Sequence, residues 1–415
     1  MAEIEKRADR AVRAVAGDLV ELSHSLHAEP ELAFAEHRSV SKITDLLDDH
    51  GFIVDVGVAD LPTAFTATYG SGDLVVGLCA EYDALPGIGH ACGHNVIAAA
   101  AVGAARGLAE IADELGITVL VLGTPAEETG GGKIAMAEAG VFDSVAMALM
   151  VHPGTADEVA CSSLALADLA IRYTGVESHA SAAPERGRNA ADAATIAQVS
   201  LGLLRQHLRR GQQLHGMISV GGSAPNIVAG HSELLYYLRA RDEASLLDLA
   251  ERAEGCFAAG AIATGCTHEV STVSPTYLEL RHDPRLLGAY RDAITDLGRE
   301  VLPPSVEGVR PLGSTDMGNI SHMLPSIHPL IGIDSDGART HEVEFAAAAA
   351  SASADQAVVD GAIALARTAA TAALDGRWRD ELLEAHERRI GQRPQMMSKS
   401  QIADRGQSMM SVYST

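Results

Sequence analysis

The chain has 415 residues, 47% of them apolar and 4% aromatic, so Ala, Val and Leu must fill a core large enough for two domains. Its formal charge of -24 argues against nucleic acid and anionic membrane surfaces as partners. Five cysteines without framework spacing, a charged N-terminus without an apolar leader, and no apolar run of about 18 residues lead us to expect reduced thiols, a cytoplasmic setting and no membrane span.

Taken in order, the pattern predicts an amphipathic helix over residues 4–28, stopped at Glu29-Pro30-Glu31, and a second over 37–50, closed by Gly51. Strands follow at 52–58, 64–69 and 74–79. After the last of these come Asp83, His90, Cys92 and His94 in one short stretch. A carboxylate, two imidazoles and a thiol cannot be buried without partners, and a divalent metal is the simplest one. A helix over 95–114 leads to a buried strand, 117–123, that ends in Thr124-Pro125-Ala126-Glu127-Glu128. A short helix over 132–139 leads to another, 145–151, that ends in His152-Pro153-Gly154. Three apolar strands therefore bring chemically active side chains to their carboxyl ends, the edge on which open α/β sheets build sites.

Next, a strand at 166–174, a helix at 187–210, strands at 214–221 and 231–240, a helix at 243–262 and a strand at 267–274 follow a β-α-β-β-α-β order. That order predicts a ferredoxin-like unit. The first pattern then returns: a helix near 283–299, the run Gly313-Ser314-Thr315-Asp316-Met317-Gly318, a strand near 327–333, an Ala-rich helical stretch opening at Arg339-Thr340-His341 and running to 374, and a helix near 377–390. The expected domains are a first catalytic part over 1–164, an inserted unit over 165–276, a second catalytic part over 277–391 and a polar tail over 392–415, mobile or an oligomer contact.

Glu127 and Glu128 divide naturally into a metal ligand and a free carboxylate. The free one can take a proton from a water that the metal has made acidic and pass it to a leaving amine. Cys92, His94, Glu128 and His152 suit two ions sharing a bridging ligand better than one ion with an open position. A further donor is then needed, and His322, His328 and His341 are the candidates. His341, in a polar loop just before a helix, is preferred to His328 within an apolar strand. His179 lies in a small-residue loop, where an exposed histidine needs no function.

Together, His90-Ala91-Cys92-Gly93-His94, Thr124-Pro125-Ala126-Glu127-Glu128, His152-Pro153-Gly154, Ser178-His179-Ala180 with Pro184-Glu185, and Leu26-His27-Ala28-Glu29-Pro30-Glu31-Leu32 resemble the aminoacylase/carboxypeptidase G/hippurate hydrolase family of dinuclear metal amidohydrolases (metallopeptidase family twenty), over residues 20–375. The closest branch uses Cys where carboxypeptidase G-type members use a bridging Asp. The resemblance implies an α/β fold of the zinc-peptidase type: a central mixed sheet flanked by helices, with an inserted ferredoxin-like α+β lid that also dimerises. It implies that Cys92, His94, Glu128, His152 and His341 hold two divalent ions (Zn, Mn, Co or Ni), that Cys92 bridges them, that Glu127 is the base and acid, and that Asp83 orients a ligand. His179 would come from the lid of a neighbouring subunit to stabilise the oxyanion, which implies a homodimer. Asn226, in the family-like Gly221-Gly222-Ser223-Ala224-Pro225-Asn226, would contact substrate. Arg239 would meet a substrate carboxylate, or else be a solvated strand-end cation.

Many members of the Cys branch follow the second His with Asp and then, two residues later, His; here the positions are Asn95, Val96 and Ile97. With Glu81-Tyr82-Asp83-Ala84-Leu85-Pro86 upstream and Gly313 to Gly318 downstream, the chain looks like the aminobenzoyl-glutamate hydrolase and β-alanyl-type dipeptidase subgroup. The expected function is metal-dependent cleavage of the amide of an N-acyl amino acid, aminobenzoyl-glutamate or a dipeptide, releasing a free amino acid. The alternative is a catalytically silent metal-binding or regulatory protein on the same fold.

Overall fold

The computed structural model describes residues 2–309 and 311–391, so the expected tail over 392–415 lies outside the described residues. These residues form two compact units: Leu164–Glu279 is one, and the segments before and after it make the other. The inserted unit extends a few residues beyond the expected 165–276.

The first segment contributes helices α1 (Ala2–Ala14), α2 (Ala16–Ala28) and α3 (His37–Asp49), then strands β1 (Ile53–Val56), β2 (Phe65–Tyr69) and β3 (Leu74–Ala80). It continues with α4 (His94–Ala109), α5 (Ala112–Leu115), β4 (Ile117–Gly123), α6 (Gly132–Glu138), β5 (Met147–Leu149) and β6 (His152–Gly154). The insert holds β7 (Ala165–Thr174), α7 (Ala190–Leu204), β8 (Gln213–Val220), β9 (His231–Ala240), α8 (Glu243–Thr264) and β10 (Thr267–Thr272). The return segment adds α9 (Pro284–Asp296), α10 (Met317–Ser321), β11 (Ser326–Ile327), β12 (Leu330–Gly332), α11 (Val343–Ala348), α12 (Ala352–Leu374) and α13 (Gly376–Gly391).

In the larger unit a six-stranded mixed sheet runs β1-β2-β4-β3-β5-β11. Strands β3, β4, β5 and β11 are parallel, and β1 and β2 join antiparallel. The near-continuous apolar runs of β3 and β4 are buried almost throughout, as parallel strands covered by helices require. Helix α4 packs on β3 and β4, and α12 packs on α4. Both are Ala-rich, which permits close approach: a Cβ at Gly103 would come within 2.7 Å of the Ala362 Cβ. By length and composition α12 could cross a membrane, but 83% of its most apolar window is buried inside this unit.

Several expected elements are divided or shortened, and the helix over 95–114 breaks into α4 and α5 at residues 110–111. The helix over 4–28 breaks at Val15, whose ψ of 10° is not helical. The Ala-rich stretch divides at Ser351, whose hydroxyl accepts the Ala354 N–H and starts α12 anew. The helix expected from 187 begins at Ala190, because Asn189 caps it through Ala191 N–H. The strand over 145–151 shortens to β5 in the main sheet, whereas β6, just beyond it, pairs with β12 in a two-stranded sheet that holds His152.

The smaller unit is a four-stranded antiparallel sheet, β10-β7-β9-β8. Helices α7 and α8 bury their apolar residues against it, giving the ferredoxin-like arrangement.

Candidate active site

The larger unit gathers the candidate donors beyond the ends of β3 and β4, at the start of β6 and in the loop before α11. Cys92 lies in the turn that opens α4, and Gly93 makes that turn at φ 78°. A Cβ on Gly93 would lie 2.4 Å from Pro153 Cγ, so glycine lets the Cys92 turn approach the His152 strand. His94, the first residue of α4, is fully buried. Its Nδ1 donates to Asp83 Oδ1 at 3.0 Å, and its Nε2 makes no hydrogen bond within the protein. Asp83 uses its second oxygen to accept the Glu128 N–H at 3.0 Å. Burial alone would raise the Asp83 carboxyl, but the His94 charge and these hydrogen bonds outweigh it and hold the group below its ordinary range.

His152 donates Nδ1–H to its neighbour's carbonyl, Pro153 O, at 2.7 Å, and so presents Nε2 to Cys92 Sγ at 3.4 Å. Burial holds the imidazole down at about 4, so it stays neutral and able to ligate. Glu127 and Glu128 stand on the turn after β4. His341 Nε2 lies 3.3 Å from Glu128 Oε2. His341 occupies the left-handed region at φ 71°, and its N–H is held by Ala91 O at 2.8 Å. Such a conformation in a non-glycine residue costs about 1–2 kcal/mol and persists where the surroundings fix it.

The ligating atoms of Cys92, His94 and His152 lie within 4.8 Å of one another, and those of Cys92, Glu128 and His341 do the same. Cys92 belongs to both groups. A third group, Glu81, His94 and Glu127, shares His94 with the first. Glu81 Oε2, His94 Nε2 and Glu128 Oε1 are buried and make no hydrogen bond within the protein. Burial, with Glu128 adding to it, pushes the Cys92 thiol well up, so a thiolate here requires a cation. These donor atoms therefore fit divalent ions: the unsatisfied lone pairs converge, and the negative charge needs compensation.

One buried ion-pair set beside these donors is absent from the sequence-based expectations. Lys133 Nζ donates to Glu81 Oε1 at 2.5 Å and to Asp316 Oδ1 at 2.7 Å, while its backbone N–H meets Asp316 Oδ2 at 3.0 Å. All three side chains have no solvent exposure. The two carboxylates more than offset desolvation and keep the ammonium charged. A lysine directly after three glycines at a helix start was the available signal. Lys133→Met leaves two buried carboxylates unpaired and is expected to cost about 3–5 kcal/mol of unfolding free energy. Urea unfolding measures this loss, and the neutral triple variant Glu81→Gln/Lys133→Met/Asp316→Asn is expected to recover most of it.

The other histidines separate cleanly. His90 is buried, stacks on His27 with centroids 6.3 Å apart, and is in none of the donor groups. His322 follows α10 and is also outside them. His328 sits between β11 and β12, its ring 5.4 Å from that of His152, and it too is outside them. Asn95 explains its own departure from Asp: its amide donates to Ser23 Oγ at 2.9 Å and to Ala349 O at 2.8 Å, bonds that a carboxylate cannot give.

In the smaller unit His179 and Asn226 are exposed and lie on adjacent segments, joined by the His179–Ile227 bridge and by Ala180 N–H to Asn226 O at 3.0 Å. His179 Nδ1 accepts the N–H groups of Ser181 and Ala182. Arg239 is on β9, its guanidinium 5.6 Å from the Tyr237 ring centroid.

Residues 77–400 match the family described as "Peptidase family M20/M25/M40". The chain belongs to this family. Its members are hydrolases, and so is this protein. A mouse (Mus musculus) protein named Xaa-Arg dipeptidase is 38% identical over 395 residues, covering 92% of this chain and 90% of the relative. A p-aminobenzoyl-glutamate hydrolase chain of Escherichia coli is 32% identical over 290 residues, covering 65% of this chain and 60% of that one. These names agree with the subgroup expected from the motifs. Among solved structures, a dinuclear metal binding peptidase of the M20 family from Bacillus subtilis superposes with a TM-score of 0.64 at 21% identity, covering 85% of this chain and 98% of that one. At that identity the likeness establishes the fold.

Proposed function

We propose that this M20-family hydrolase is a dinuclear metal-dependent dipeptidase that cleaves the amide bond and releases the C-terminal amino acid. The carrying observation is the pair of donor groups that share Cys92, with Glu127 outside both and its Oε2 3.9 Å from His94 Nε2. Cys92, His94 and His152 would hold one ion, and Cys92, Glu128 and His341 the other. Divalent ions there would acidify a water and polarise the amide carbonyl. Glu127 takes the proton of the attacking water and returns it to the leaving amine. Burial, with Glu81 and Glu128 adding to it, raises its proton affinity well above that of an ordinary carboxylate, which suits a group that must hold the proton between two steps. Asp83 fixes the His94 ring. From their motifs we assign His179 to the developing oxyanion, and Asn226 and Arg239 to substrate contact.

We rank Xaa-Arg dipeptides first among substrates, a reading supported by the mouse relative's name, and the formal charge of -24 favours the approach of a cationic one. N-acyl amino acids and aminobenzoyl-glutamate are the neighbouring classes. Zn, Mn, Co and Ni are all compatible with the donor set, and the free thiol of Cys92 favours a reducing setting such as the cytoplasm. The test is amino-acid release from a panel of Xaa-Arg and Xaa-Lys dipeptides, α- and β-alanyl dipeptides, aminobenzoyl-glutamate and acyl amino acids, with each metal in turn. Cleavage of none of them with any metal sinks the proposal.

We also propose a homodimer through the smaller unit. Strand β8 is a sheet edge with Met217 59%, Ile218 43% and Val220 37% exposed, an edge suited to pairing with its own copy. Light scattering is expected to give a dimer for the native protein and a monomer for Ile218→Lys; a native monomer contradicts the assignment.

A further inference from the structure

We infer that Glu36 is a positioning residue for Glu127, acting through the left-handed peptide at Ala126. The inference rests on the reading of Glu127 as the base.

Glu36 stands at the N-cap of α3, yet its side chain makes no capping bond there. It is fully buried, and its Oε1 accepts the Ala126 N–H at 2.9 Å. Ala126, also fully buried, is held at φ 59°. A side chain in that region costs about 1–2 kcal/mol, and glycine would pay almost nothing. Holding this peptide with a carboxylate taken out of water adds a desolvation cost. A cheaper turn was available, so the arrangement restricts the peptide more tightly than glycine would.

The restriction falls on Glu127. The N–H groups of its two neighbours in sequence each end on a buried carboxylate: that of Ala126 on Glu36, and that of Glu128 on Asp83. The turn is closed by Gly131 N–H to Ala126 O at 3.0 Å. At its far end Phe34, itself at φ 60°, covers Gly130 so closely that a Cβ there would lie 2.4 Å from the ring. Residues 34–36 thus clamp the turn at both ends. Asp83 has a second task on His94, whereas Glu36 is in none of the donor groups. Its geometric consequence is the direction in which the chain enters Glu127.

The test compares Glu36→Gln, Glu36→Leu, Ala126→Gly and Glu36→Leu/Ala126→Gly in metal-loaded protein, reading kcat, KM, bound metal, melting temperature and hydrogen exchange of the Ala126 amide. Gln keeps the acceptor, so Glu36→Gln is expected to hold kcat within about threefold. Leu removes it, and a base displaced by about an ångström costs on the order of tenfold to a hundredfold. Glu36→Leu should therefore lower kcat by that factor with KM and metal count unchanged, and the Ala126 amide should exchange faster. Ala126→Gly in the same background removes the penalty of φ 59° and should restore part of kcat. Native kcat in Glu36→Leu overturns the inference. So does a loss that follows melting temperature or metal count and is not restored by Gln. If Glu36→Leu does not fold, a loss of tenfold or more in Glu36→Gln with a native Ala126 amide exchange rate overturns it too. Glu127→Ala, assayed alongside, separates the two claims: if it is dead while Glu36→Leu is native, only the positioning role fails. Native turnover in Glu127→Ala removes both.

Discussion

Glu127→Ala is expected to lower kcat by about 10²–10⁴-fold, the contribution of a positioned acid–base group, while both ions stay bound. The separation follows from geometry. Glu127 belongs to neither of the donor groups that share Cys92, so its removal leaves both of them complete. It lies on the same turn as Glu128, whose N–H is tied to Asp83 and whose Oε2 is 3.3 Å from His341 Nε2. Truncation at 127 leaves those contacts in place. Elemental analysis beside steady-state kinetics checks the outcome. Native kcat removes the assigned role, and loss of an ion makes Glu127 a ligand instead.

The second large effect is on metal content. Cys92→Ala removes a donor from both groups, leaving His94 with His152, and Glu128 with His341. Each ion then has two side chains, and a buried site with two protein donors does not retain a divalent ion against a chelator. His341→Ala removes a donor from one group only and should cost one ion. After identical dialysis, the expected order of bound metal is native, then His341→Ala, then Cys92→Ala, with turnover lost in the last. Equal metal in Cys92→Ala and His341→Ala contradicts a shared thiolate.

Much of this architecture is legible in the sequence because parallel strands covered by helices must be continuously apolar, so residues 74–79 and 117–123 announce themselves. What stands just beyond such strands is confined to one sheet edge, which is why Cys92, His94, Glu128 and His152 stand out together. The β-α-β-β-α-β order of the insert is equally direct. Contacts set by tertiary approach carry no local period and leave no trace in the pattern. Glu36 meets Ala126, and Lys133 meets Asp316, across long stretches of chain. Capping breaks are hidden for a different reason: Ser351 and Asn189 each compete locally with an apolar pattern that continues past them. The choice between His341 and His328 turns on loop polarity, and the donor groups contain His341.

The most direct measurement is a titration of metal-free protein with a single divalent metal, following bound ions and Xaa-Arg dipeptide cleavage in the same sample. No cleavage is expected before loading, two ions are expected per chain at saturation, and turnover should rise as the second site fills. Cleavage by fully chelated protein, or saturation at one ion with full turnover, would contradict the two groups built around Cys92.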